Sequence, residues 1–263
     1  MGIHYHDLDR YADLASPIHR WDPRLKLIGL GTLIAVIASL FSLEGAIVGA
    51  GMALLALFAS RLPLRFLVSR FLGLQAFLLP FLIILPLLGS GRALVELGPL
   101  AVHAGGLEFA LLIYIKALAL VAVTVVLVNS APLADTLWAA QSLHVPRGLV
   151  QLTLICLRYL PILLEEAEDT KAAATSRAFQ MKAGSHSYTT AANMAGAVLV
   201  RSYLRASRVW EAMQCRGFRG RLYPLRRWRI SGRDVALTAV AVIISVVLLA
   251  MDLTIWTTSN WLS

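Results

Sequence analysis

Five long apolar stretches decide what this chain can become: Leu25–Phe41, Gly45–Ser60, Phe71–Leu88, Leu107–Val128 and Val235–Ile255. Each approaches the ~20 residues that a helix needs to cross a bilayer. In hydrocarbon a backbone must satisfy its own hydrogen bonds, so such stretches predict helices. Composition agrees. Charged residues make up 15% of the chain, against roughly 25% in soluble proteins, and hydrophobic residues 58%. The expected fold class is an all-α membrane protein with about five transmembrane helices.

Local features refine these spans. Lys26 is expected to snorkel at the start of the first. Ser42-Leu43-Glu44 separates the first two and is too short for anything but an antiparallel hairpin. Pro80 and Pro86 interrupt the third, and Lys116 sits in the middle of the fourth. Asp234 flanks the fifth, Asp252 is placed near the outer surface, and Trp256 and Trp261 suit an interfacial belt. The first 24 residues are polar and do not read as a signal peptide.

Basic residues set the orientation. Arg10, Arg20, Arg24 and Lys26 precede or open the first span, and Arg61, Arg65 and Arg70 are read as the loop between the second and third. The loops on the opposite side carry only Arg92. The positive-inside rule then predicts a cytoplasmic N-terminus and an external C-terminus. The expected division is residues 1–24 as a cytoplasmic segment, 25–128 as a four-helix transmembrane region, 129–233 as a cytoplasmic helical module, and 234–263 as the final span with an external end. Residues 129–233 hold 15 Lys/Arg against six Asp/Glu, so the whole net charge of +9 resides there. That excess implies anionic lipid contact or an acidic partner.

Within this module, Pro132–Leu143 reads as a short helix. A second starts at Pro146, is apolar from Leu149 to Leu164, kinks at Pro161, turns polar, and is ended by Gly184. A third runs from about Tyr188 to Cys215. Ala192, Ala195, Leu199, Ser202, Tyr203, Ala206, Trp210 and Met213 share one face, with Arg201, Arg205 and Arg208 on another. Packing on its own protein is the first use of such a stripe, and lying along the membrane surface the second. Both long helices end alike, in Ser176-Arg177-Ala178-Phe179 and in Cys215-Arg216-Gly217-Phe218, 39 positions apart. Small neighbours leave the arginine unshielded, and a planar five-donor fork suits a carboxylate on another surface. The bland alternative is that each arginine merely complements its own helix dipole.

These features resemble the transmembrane (T) component of energy-coupling factor transporters, in particular the cobalt-type CbiQ subgroup. "SPIHRWDPRLKL" (Ser16–Leu27) is similar to that family's entry into its first helix. "AMQCRGFRG" is similar to its second Ala-Arg-Gly-like coupling motif, and Ser176-Arg177-Ala178 departs from the first except at the arginine and its small flanks. The resemblance implies a non-catalytic coupling subunit, with residues 129–233 as the coupling module. Its partners would be a pair of ATP-binding cassette ATPases, a membrane substrate-capture (S) component and the lipid bilayer of a bacterial inner membrane, with no nucleic acid. Ser176, Arg177, Ala178, Cys215, Arg216 and Gly217 would dock on the ATPases, which would bind the ATP and magnesium; this chain would hold no cofactor. The cargo implied is cobalt ion, with nickel or a vitamin such as biotin as alternatives.

The residues themselves add limits. There is no Walker loop, so ATP hydrolysis by this chain is not expected. Asp22 reads as a helix cap with Pro23 at the first helical position and Arg24 as a possible contact. A membrane-embedded enzyme would need converging ligands, and Glu165, Glu166, Glu168 and Asp169 are the dense candidates, at a spacing that fits a solvated face. A self-sufficient metal channel lacks acidic residues inside the spans. Lys116 is a poor lining for a cation path, so packing or partner contact is expected of it. His4, His6, Asp7 and Asp9 read as a solvated tail before a metal site. Cys156 and Cys215 show neither metal spacing nor a disulfide framework.

Overall fold

The computed structural model describes residues 18, 21–88, 93–97, 100–180, 182, 184–223 and 231–261; of residues 64, 87–88, 93–97, 100–104 and 255–261 it describes the backbone alone. The His4, His6, Asp7 and Asp9 tail, Arg20 and Arg92 lie outside the described residues, as do the Trp256 and Trp261 side chains. The elements in chain order are α1 (Pro23–Ser39), α2 (Leu43–Ser60), α3 (Leu64–Leu88), β1 (Ala93–Leu97), β2 (Leu100–His103), α4 (Ala104–Asn129), α5 (Leu133–Ser142), α6 (Arg147–Ser176), α7 (Ser185–Cys215) and α8 (Gly232–Trp261). The fold is all-α apart from one short hairpin. In it β1 pairs antiparallel with β2, with Leu97 opposite Leu100 and Ala93 opposite His103, an element the apolar periodicity did not announce.

The chain forms two compact units, with the boundaries at residues 139/140 and 227/228. One contains α1–α4 and α8, and the other contains α6 and α7; α5 begins in the first and ends in the second.

In the first unit α4 is the hub, packing on α1, α2 and α3, while α8 closes on α1 and α2. Ile37, Leu40, Val123 and Val126 are fully buried. The contact face of α2 is made of small residues, Gly45, Ala46, Gly49 and Ala53, which let helix backbones approach closely where no hydrophobic force separates helix from lipid. A Cβ on Gly49 would sit 3.3 Å from Ile37 and from Leu40. The expected α1–α2 hairpin is therefore corrected. The two helices meet near their turn, and their main partners are α4 and α8.

Other boundaries shift too. α3 starts at Leu64, seven positions before the expected Phe71, so Arg65 and Arg70 lie on the helix instead of in a loop. It continues through Pro80 and Pro86, as α6 does through Pro161. α6 stops at Ser176, and Gly184 caps the start of α7 instead of ending α6. Among the described residues five helices are long and apolar enough to cross a membrane, namely α2, α3, α4, α6 and α8. The count agrees with the sequence and the membership does not. α1 has 17 residues, about 25 Å of helix, and is short against a ~30 Å hydrocarbon core. The apolar half of α6 carries Leu149 and Leu152 at 60% and 63% exposure.

Two buried charges, Asp252 and Lys26, and the half-buried Lys116 hold the ends of short α1. Lys116 of α4 donates to the carbonyl oxygens of Ala38 (2.9 Å) and Leu40 (2.7 Å) at the C-terminal end of α1. Asp252 of α8 accepts from the N–H groups of Phe41 (2.7 Å) and Ser42 (3.0 Å) and from the Ser42 hydroxyl. Ser42 in turn caps α2 by accepting from Gly45 N–H at 3.1 Å. A cation thus meets the negative end of one helix and a carboxylate the positive end of the next. Asp252 is 1% exposed, buried against the turn between α1 and α2. At the other end of α1, Lys26 is 2% exposed and donates to Ser130 O at 2.8 Å. It does not snorkel, because a carbonyl at the end of α4 satisfies it inside.

Asp252→Ala strips the acceptor from two turn N–H groups at once, and is expected to destabilise the purified protein by about 2 kcal/mol or more. Gly45→Ala should behave alike, since its Cβ would come within 2.5 Å of the Asp252 carboxylate. Denaturant titration in mild detergent measures both, and wild-type midpoints would refute the clamp.

Candidate functional site

The two arginine motifs sit in the unit of α6 and α7 and have the same backbone. At the end of α6, Ala178 N–H bonds Thr175 O (3.0 Å) and Phe179 N–H bonds Ala174 O (3.1 Å). At the end of α7, Gly217 N–H bonds Gln214 O (2.9 Å) and Phe218 N–H bonds Met213 O (3.0 Å). Each pair is a Schellman cap, with arginine at the capping position and the next residue left-handed. Ala178 has φ 63° and Gly217 φ 75°. The motif now has a physical meaning. Its third position is small because the cap needs positive φ, which a Cβ resists. Its phenylalanine folds back. Phe218 meets Trp210 edge-on at 6.1 Å between ring centroids.

Ser176, Arg177, Ala178, Cys215, Arg216 and Gly217 are all exposed. Among the described residues neither the Arg177 nor the Arg216 guanidinium has a side-chain partner, so both forks are presented to a ligand or another surface. Ser176 spends its hydroxyl locally, donating to Ala173 O at 2.9 Å.

Where α6 crosses α7, Glu166 accepts from Arg201 (2.6 Å) and from Arg205 (3.2 Å). The hydrogen bond from Arg201, with the charge of both guanidiniums, holds the Glu166 carboxyl below its ordinary 4.5. Glu166 and Arg205 are themselves 39 positions apart, the same interval as Arg177 and Arg216. From Glu166 to Arg177, and from Arg205 to Arg216, is eleven positions in each helix (177 − 166; 216 − 205), about 16 Å at 1.5 Å per residue.

The helices run antiparallel, since one open cleft of about 950 Å³ joins Asp169, Ala173 and Arg177 of one arm to Arg201, Asn193 and His186 of the other. At the opposite end, the Gln151 amide meets the Gly220 carbonyl and the Leu222 N–H, each at 3.2 Å. The two arginine ends therefore lie on opposite sides of the crossing, about 33 Å apart along the helices.

Two expectations are corrected by this geometry. The α7 stripe does not pack on its own protein. Leu199 is 70%, Tyr203 75% and Trp210 53% exposed, because Glu166 draws the Arg201 and Arg205 face toward α6. The acidic run on α6 is not simply a solvated face, since Glu166 is the strut of the crossing. Among the described residues no group of three His, Cys, Asp or Glu is placed to hold a metal. Asp22, Pro23 and Arg24 lie in the spanning unit, where Asp22 caps α1 by accepting from Arg24 N–H at 2.9 Å. Sequence reasoning missed the pairing of Glu166 with Arg201 and Arg205; the opposite charges on two successive long helices were the signal for it.

Ala178→Gly should relieve a left-handed Cβ and slow amide exchange at the end of α6, by about 1 kcal/mol of local stability; Gly217→Ala should cost α7 about the same. Hydrogen exchange read by mass spectrometry resolves both ends. Because the Glu166 carboxyl is depressed in the folded state, its link is complete above 4.5 and is lost as pH falls below that value. Exchange across the α6–α7 crossing should rise over that range in the wild type. In Glu166→Gln it should already be raised at neutral pH and vary little.

The geometry can be set beside known proteins. Residues 15–225 match the profile of CbiQ, described as a cobalt transport protein. The energy-coupling factor transporter transmembrane protein EcfT of Heliobacterium modesticaldum is 29% identical over 246 residues, covering 88% of this chain and 91% of its own. EcfT of Macrococcus caseolyticus is 27% identical, covering 81% and 84%. The profile covers α1–α7 with both capped arginine ends and stops before α8, and on that extent this multi-pass membrane chain belongs to the CbiQ cobalt transport protein family.

Proposed function

We propose that this chain is the transmembrane coupling subunit of an ATP-driven importer of the energy-coupling factor type. The observation that carries this reading is the pair of unpartnered arginines on identical Schellman caps, on opposite sides of one crossing. Two equivalent contacts facing apart fit two equivalent partners. An exposed fork that already points outward loses little freedom on docking against a carboxylate. The partners in this reading are two ATP-binding cassette ATPases, which bind the ATP and magnesium, and a membrane capture protein that holds the cargo. The named relatives, energy-coupling factor transmembrane proteins, support the same role.

ATP-driven closure of the ATPases moves the two arginine ends relative to one another, and the rigid Glu166 strut turns that into rotation of α6 against the rest of the protein. The chain contributes no chemical step. In this reading the N-terminus and residues 129–233 are cytoplasmic, the C-terminus is external, and the membrane is a bacterial inner membrane, as the basic bias of that segment favours. The family description favours cobalt as the cargo over nickel or biotin.

Co-purification in mild detergent with tagged ATPases tests the reading. Arg216→Glu and Arg177→Glu each replace a charge-assisted hydrogen bond by repulsion, and should lower ATPase recovery roughly 10- to 100-fold, leaving membrane insertion intact. An intact, transport-competent complex in both variants would sink the assignment. Uptake of labelled cobalt(II), nickel(II) and biotin by vesicles holding the full complex decides the cargo.

A further inference from the structure

The chain passes out of the spanning unit along α5, which follows directly on the corner at the end of α4, and returns shortly before α8. Both connections are fastened to the same short segment. Lys26 donates to Ser130 O at the exit corner at 2.8 Å, and both residues are buried, Ser130 fully. Five positions earlier (26 − 21), Trp21 Nε1 donates to Thr238 Oγ1 on α8 at 3.2 Å. The indole lies flush against α1, where a Cβ on Gly29 would come within 3.1 Å of it. Between the two anchors Asp22 caps α1 and Pro23 occupies its first position, which stiffens the segment that carries them.

A buried ammonium on a helix-terminal carbonyl has no water competing for it, so the tie is stronger than a surface contact of the same length. Ser130 terminates the 26-residue α4, and a corner left untied at that place could slide when α5 is pulled. We propose that Trp21 and Lys26 are positioning residues of the coupling process. They lock the exit and the return of the α5–α7 segment to the start of α1. A displacement of α6 and α7 is then delivered to α1 and α8 instead of being lost in the two connections. This rests on the coupling reading above and names the place where its motion enters the spans.

The test uses the complete complex, chain, ATPase pair and capture protein, in liposomes, with ATP hydrolysis and import of labelled cobalt(II) measured together (nickel(II) if the unsubstituted complex carries that ion). Lys26→Met keeps the stem and removes the charge. Thr238→Val keeps the shape and removes the acceptor of Trp21. Both assembled variants should hydrolyse ATP as the wild type does. Import per ATP should fall about tenfold in the first and severalfold in the second. Lys26→Arg, which retains a donor, should recover part of the loss.

Unchanged import per ATP in both variants overturns the proposal. So does import that falls only in proportion to the amount of folded complex, since a merely structural role predicts that. If Lys26→Met does not assemble, Thr238→Val decides alone by the same ratio. Failure of the unsubstituted chain to recover any ATPase is a separate result, and it removes the coupling reading and this inference together.

Discussion

Everything in the spanning unit depends on how the break between α1 and α2 is closed. Residues 40–42 leave the helical path, and the Leu40 carbonyl and the Phe41 and Ser42 N–H groups find their partners on other helices, as buried backbone groups must. Lys116 and Asp252 supply what lipid cannot. One comes from the hub helix and the other from the last helix, so the turn is complete only when α4 and α8 are in place. The clamp also dictates its neighbours. Position 45 must be glycine, and position 42 must carry a hydroxyl that both donates to Asp252 and caps α2.

The second unit solves a different problem, that of holding two side chains outward at a defined separation. It does so with caps and a strut instead of a core. Schellman caps fix where each helix stops and leave the arginine at the very tip. The Glu166 bond to Arg201 and Arg205 fixes where the helices cross. Because the crossing lies the same number of positions before each tip, the arms are equal in length. The aromatic stripe of α7 remains uncovered on this arrangement, its Tyr203 and Trp210 directed away from the α6 contact.

Much of this was legible in the sequence. Long apolar runs against a bilayer admit hardly any fold but helices, and the small-Arg-small-Phe repeat marked both tips. What the sequence hid were pairings between distant positions. Lys116 looked like an awkward charge in a span and Asp252 like an interfacial one, because the turn that needs them lies at residues 38–42, far from either in the chain. The α7 stripe misled for a related reason. Hydrophobic spacing tells which residues share a face, and says nothing of whether a polar contact, here Glu166 with two arginines, is made on the opposite one.

Sequence by itself therefore determined the class of the protein and the chemistry of its tips, since both follow from local rules: helix length against membrane thickness, and the backbone needs of a helix end. Tertiary structure decided which charges are buried, which helices are neighbours, and which apolar face stays open. Those are set by hydrogen bonds and ion pairs between residues far apart in the chain, and the local spacing around either partner does not name the other.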